Sequence, residues 1–95
     1  MAVRADPINI HYATWITKLL LEVLERNVKT DADVHFLTIL EWLRQRGVFI
    51  RTGIDLGSIK RVRNALFFLG FEQPRRNIYR IRVERLREIN SWLSQ

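Results

Sequence analysis

The chain has 95 residues, with 16 Lys/Arg against 10 Asp/Glu for a formal net charge of +6, 47% hydrophobic residues and no cysteine. That length predicts one domain, and the apolar content predicts a packed core in place of disorder. Disulfides and thiolate metal sites are excluded, no apolar run approaches the ~20 residues of a membrane span, and the start, MAVRADPINI, lacks the basic-then-apolar order of a secretory signal, so the expectation is an intracellular protein with no membrane partner.

The first helix is predicted over about 8–27. Asp6 is a suitable cap and Pro7 fits the first turn. Tyr12, Ile16, Leu19, Leu20 and Val23 share one face at helical spacing. Trp15 and Leu21 lie off that stripe and are candidates for a partner contact. The second helix is predicted over about 31–46. Thr30 is its expected cap, with Asp33 three residues on as a variant of the capping box. Phe36, Leu37, Ile39, Leu40 and Leu43 form its expected buried face, and Gly47 ends it. The next segment, VFIRTG, reads as a brief strand or an extended link.

The third helix is predicted over about 57–69, capped by Asp55 or Ser58. Ile59, Val62, Ala65, Leu66 and Leu69 make its core side, and Lys60, Arg61 and Asn64 fall opposite, with Arg63 and Phe67 on one flank and Phe68 on the other. Phe67 is expected to pack against the first helix or a following hairpin, and Phe68 to be half-buried. Gly70 stops the helix. The period then changes to two: FE, the turn QPRRN and the strand IYRIRV read as a β-hairpin over about 71–83. Tyr79, Ile81 and Val83 point inward, and Arg80 and Arg82 outward. A last helix over about 84–94 carries a stripe of Leu86, Ile89, Trp92 and Leu93, which either closes the core or forms a dimer contact.

The fold class expected from this order is α+β, mostly α: a winged helix of three helices, a short antiparallel hairpin as the wing, and a C-terminal helix. Charge follows the same division. Residues 1–50 hold six bases and six acids, whereas residues 51–95 hold ten bases and four acids. Thirteen of the sixteen bases are arginine, the residue suited to bidentate contact with phosphate and guanine. The stretch from Gly57 to Val83 has seven bases, one acid and interleaved aromatics. Lys60, Arg61, Arg63, Asn64, Arg75, Arg76, Arg80 and Arg82 are therefore the candidate nucleic-acid contacts. Neutralising about six phosphates gives a salt slope near −5.

IKRVRNALFFLGFEQPRRNIYRIRV resembles the small winged-helix domains at the C-termini of phage-type primase–helicases. The shared pattern is I-x-x-V-x-x-A-L-x-x-L-G-F, filled by Ile59, Val62, Ala65, Leu66, Leu69, Gly70 and Phe71, then a short arginine-containing turn and an aromatic-plus-arginine strand. The resemblance covers about a quarter of the chain. It implies a DNA-binding winged helix, with Lys60, Arg61, Arg63 and Asn64 contacting from the helix and Arg75 and Arg76 from the wing. The tip glycine common in such wings is missing.

Three functions compete. Duplex DNA binding, as a regulator or as a replication or recombination accessory, uses the basic face. A protein-interaction adapter docking a larger nucleoprotein assembly, or a homodimer, uses Trp15, Leu21, Leu86, Ile89, Trp92 and Leu93. A single-strand or RNA binder stacks bases on Phe68 and Tyr79. Catalysis has no motif in its favour: phosphate loop, nucleophile elbow and dinucleotide fingerprint are missing from the sequence. No catalytic residue, cofactor or metal is assigned. His11 and His35 lack cysteine partners, and the acids beside His35 fit a helix N-terminus.

Overall fold

The computed structural model describes residues 7–47 and 56–94. Its elements run α1 (Pro7–Arg26), β1 (Asp31–His35), α2 (Phe36–Gln45), α3 (Leu56–Leu69), β2 (Glu72–Arg75), β3 (Ile78–Arg82) and α4 (Val83–Leu93). The fold is α+β and mostly helical, with one three-stranded antiparallel sheet in the order β1-β3-β2. The expected caps Asp6 and Asp55, and the VFIRTG segment, lie outside the described residues. Ser58 falls inside α3, which begins at Leu56.

The helix α1 packs against α2, α3 and α4, so its apolar stripe is the centre of the core. Ala13, Ile16, Leu19, Leu20 and Leu24 are buried. Thr17 is completely buried among them, and its Oγ1 donates to the Ala13 carbonyl at 2.7 Å, so no polar group is left unpaired. Tyr12, Val23 and Leu21 are half-buried at the margins, and Trp15 is exposed.

The end of α1 is a strained turn. The Val28 N–H donates to the Glu25 carbonyl and the Lys29 N–H to the Leu24 carbonyl, the bond pair that closes a helix with a left-handed residue. Here that residue is valine, at φ 54°, where a β-branched side chain crowds its own backbone.

The second predicted helix begins five residues late. Asp31–His35 is a strand, not a first helical turn, and Thr30 and Asp33 make no capping box. Period-two burial explains the change: Ala32 and Val34 turn inward, while Asp31 and Asp33 turn outward opposite Arg82 and Arg80 of β3. Opposite charges directly across an antiparallel pair favour this register. The cap of α2 is His35, whose Nδ1 accepts from the Leu37 N–H at 3.0 Å. Backbone carbonyls next to the strands pair the first N–H of α2 and of α4. The Phe36 N–H donates to Asn77 O and the Val83 N–H donates to Thr30 O, both at 2.8 Å, which satisfies donors that helix N-termini leave unpaired. Phe36, Ile39, Leu40 and Leu43 form the buried side of α2. Leu37, expected inside, is 64% exposed, because it sits a full residue off that stripe.

The hairpin is tighter than expected. Gln73, Pro74 and Arg75 belong to β2, and only Arg76 and Asn77 form the turn. The register shifts by one residue between Glu72 and Arg75. Pro74, which has no N–H to donate, sits in this irregular part of an edge strand, where it disrupts least. Tyr79, Ile81 and Val83 point into the core as expected, and Leu86 and Ile89 of α4 close it.

The left-handed valine makes a stability prediction. Replacing Val28 with glycine keeps both closing bonds and removes the side-chain crowding, so Val28→Gly stabilises by about 1 kcal/mol. A thermal melt followed by circular dichroism reads this as a rise of ~4–8 °C.

Candidate functional site

The helix α3 is anchored by Val62, Ala65, Leu66 and Leu69, all buried. With about 100° per residue, this places Lys60, Asn64 and Phe67 along the outermost line, with Arg61 on one flank and Arg63 on the other. Lys60, Arg61 and Arg63 are exposed and Asn64 is half-buried. Gly70 ends the helix at φ 73°, and nothing lies within 4 Å of where its Cβ would be, so backbone conformation alone selects glycine there.

Arg63 ties this helix to the hairpin. Its Nη1 donates to Asn77 Oδ1 at 2.9 Å, and its guanidinium carbon lies 3.9 Å from the centroid of the Phe36 ring, a cation–π distance. Phe36 in turn packs at 6.5 Å from the Tyr79 ring. Burial raises the Tyr79 phenol above its usual pKa, and the neighbouring Arg63 charge opposes that rise. Asn77 takes φ 64° in the turn, a left-handed conformation that asparagine tolerates better than most residues. The guanidinium thus joins α3, the start of α2 and the hairpin turn.

Acids elsewhere on the surface take up most of the remaining arginines. Glu22 pairs with Arg26 and Arg46, Glu41 with Arg44, Glu88 with Arg85 and Glu25 with Arg87. On the outer face of the sheet, Arg80 Nε donates to Asp33 Oδ1 at 3.0 Å and its Nη2 to Oδ2 at 3.3 Å. Glu72 lies 3.9 Å from Arg80 and 3.6 Å from Arg82. Arg80 and Arg82 were expected as nucleic-acid contacts. They do face outward, but both form ion pairs with the acids Asp33 and Glu72. The strand β1, absent from the expected fold, supplies Asp33, and β2 supplies Glu72.

Lys60, Arg61, Arg63, Arg75 and Arg76 have no carboxylate partner among the described residues. All five lie on α3 or at the end of the hairpin, and the Arg63–Asn77 bond holds those two elements together. Lys18 and Lys29 also lack such a partner, so five of the seven described cations without one lie on α3 or at the hairpin end.

Three other expectations change. Phe67 packs against neither α1 nor the hairpin but is 64% exposed, because Val62, Ala65, Leu66 and Leu69 take the inward positions. Its neighbour Phe68 is half-buried against Trp92 of α4, with ring centroids 6.0 Å apart. Tyr79 is buried and so offers no stacking platform. Of the residues expected at a partner surface, Leu86 and Ile89 are core residues, and Leu21 and Leu93 are half-buried against the core. Trp15 and Trp92 are the exposed members of that set, at 45% and 56%. His35 is occupied as a helix cap. No described helix is long and apolar enough to cross a membrane. Comparison of the chain with protein-family models, with curated proteins and with solved structures found no match.

Two measurements follow from this geometry. Arg63→Ala and Asn77→Gly form a double-mutant cycle in which glycine keeps the left-handed backbone and removes the acceptor. A coupling of roughly 0.5–1 kcal/mol is expected for an exposed charge-assisted bond, read from denaturant midpoints. The second concerns pH. The hydrogen bond from Arg80 holds the Asp33 carboxyl below its ordinary value of 3.8, against partial desolvation and with added help from the charges of Arg80 and Arg75. A depressed folded value stabilises the fold above pH 3.8, and that contribution is lost as pH falls through the lower folded value. The melting temperature of the wild type should therefore fall more steeply on acidification below that pH than the melting temperature of Asp33→Asn.

Proposed function

We propose that this chain is a winged-helix domain that acts by binding duplex DNA, with α3 presented to the major groove and the β2–β3 hairpin as the wing beside it. The observation that carries this reading is the collection of Lys60, Arg61, Arg63, Arg75 and Arg76 on α3 and the hairpin end, without carboxylate partners among the described residues, while acids neutralise the described arginines of α1, α2, β3 and α4. A solvated face kept for solubility gains nothing from one sign at one place, whereas a polyanion does. An α-helix with side chains is ~10–12 Å across, close to the ~12 Å width of the major groove. Cations on both flanks of α3 suit the two phosphate backbones that border such a groove, and Asn64 between them suits base edges. Because Arg80 and Arg82 are paired with acids, the wing engages DNA by its tip, through Arg75 and Arg76, and not by its face. A regulator and an accessory of replication or recombination both use such a module.

The reading is tested by fluorescence anisotropy on a mixed-sequence duplex across a salt series. Five neutralised phosphates predict a slope of about −4.5 in log K against log salt, and so a loss of roughly 500-fold between ~50 mM and ~200 mM. Lys60→Ala and Arg76→Ala should each reduce the magnitude of the slope by about one, with unchanged melting temperature. Arg44→Ala, which removes a cation of α2 already paired with Glu41, should leave it unaltered. Absence of duplex binding at ~50 mM salt would overturn the reading.

A further inference from the structure

We propose that the outermost line of α3 makes this protein prefer A·T base pairs, with Phe67 packing on the C5-methyl group of thymine and Asn64 pairing with adenine. The inference rests on the duplex-binding reading above and goes beyond it, from charge to sequence preference.

Phe67 is the odd member of its surface. It is 64% exposed and lies on the same line as Lys60 and Asn64, between the cations Arg61 and Arg63. Its sequence neighbour Phe68 has turned away to Trp92. A phenyl ring at the centre of a cationic face fits a ligand that is anionic at its edges and carries an apolar feature in the middle. The major groove of duplex DNA has that form: phosphates border it, and the thymine methyl is the apolar group projecting into it. A side chain there gains by covering the methyl, while guanine and cytosine present donors and acceptors that a phenyl ring desolvates without pairing.

Asn64 supplies the complementary half. It stands one helical turn before Phe67, about 4.5 Å along the axis, close to the ~3.4 Å step between stacked base pairs. Its side chain makes no hydrogen bond among the described residues, so none of them takes up its amide N–H or its carbonyl. That donor–acceptor pair matches adenine N7 and the adenine amino group in the major groove. The two residues therefore address neighbouring base pairs, and both favour A·T. Lys60, Arg61 and Arg63 fix the register from the phosphates, which carry no base information.

The test compares short duplexes of one mixed A·T sequence built with thymine or with deoxyuridine, which differ by the C5-methyl alone. A G·C duplex built with cytosine or 5-methylcytosine returns a methyl to the equivalent groove position. The wild type should bind the thymine duplex about fourfold more tightly than the deoxyuridine duplex, the value of burying one methyl group. It should gain a similar factor on 5-methylcytosine. Phe67→Ala should lose both methyl effects while keeping the salt slope, Phe67→Leu should retain them, and Asn64→Ala should reduce the preference for A·T over unmethylated G·C. Phe67 and Asn64 lie outside the core, and circular dichroism checks that each variant folds. Salt-dependent duplex binding with equal affinity for thymine and deoxyuridine overturns this inference and leaves the duplex-binding reading standing, as does a methyl effect that survives in Phe67→Ala. Loss of all duplex binding at ~50 mM salt overturns both.

Discussion

The guanidinium of Arg63 sits where three elements meet. It leaves α3, lies over the ring of Phe36 at the first position of α2, and donates to the side chain of Asn77 in the hairpin turn. The helix and the hairpin are separated in the chain by the reversal at Gly70, and a single glycine fixes no angle between them. The angle is set instead by packing below, through Leu66, Leu69 and Ile81, and by Arg63 above. An arginine suits the task because its planar fork carries five donors and stacks on an aromatic face. One donor goes to Asn77, and the remaining ones stay at the surface, so the same side chain anchors the hairpin and adds to the cationic end of the molecule.

Electrostatics on the rest of the surface work by local cancellation. Short-range pairs on α1, α2 and α4, and the longer pairs from Glu22 to Arg46 and Glu25 to Arg87, are exposed, and each contributes little to stability. Their consequence is a matter of field. They leave seven described cations without an acid partner, five of them on α3 and the hairpin end. The sheet sharpens this partition. Asp33 and Glu72 flank Arg80 on both sides, whereas Arg75 and Arg76 near the turn have no acid partner among the described residues. A charge count along the chain treats all ten bases of the second half alike; the fold does not.

Val28 and Phe67 go against local preference. Val28 holds a left-handed turn that glycine fills more easily. It is 91% exposed, so no packing compensates for the crowding, and the position has no account in the core. Phe67 exposes a phenyl ring where a polar residue would be solvated at no cost. Its place on α3, between cations and beside Asn64, ties it to the basic face, whereas Val28 lies at the end of α1.

The sequence by itself determined the elements whose signals are local. The period-3.6 stripes of α1 and α3, the stops at Gly47 and Gly70, and the alternation of Tyr79, Ile81 and Val83 all act within a few residues, and each is present in the structure. Most of the basic face was legible too, because Lys60, Arg61 and Asn64 must point away from the buried positions of their own helix. What only the tertiary structure decided depends on residues far apart in the chain. Asp31–His35 carries the marks of a helix start, yet it pairs with a strand almost fifty residues later, and long-range ladder bonds and opposed charges outweighed the local capping preference. That pairing also decided the fate of Arg80, which acids from both neighbouring strands neutralise. The same holds for Leu86 and Ile89: an apolar stripe on a terminal helix fits a core and a partner equally well until the helix is seen to lie against α1. Periodicity states which side of an element is apolar, and only the assembled chain states what covers it.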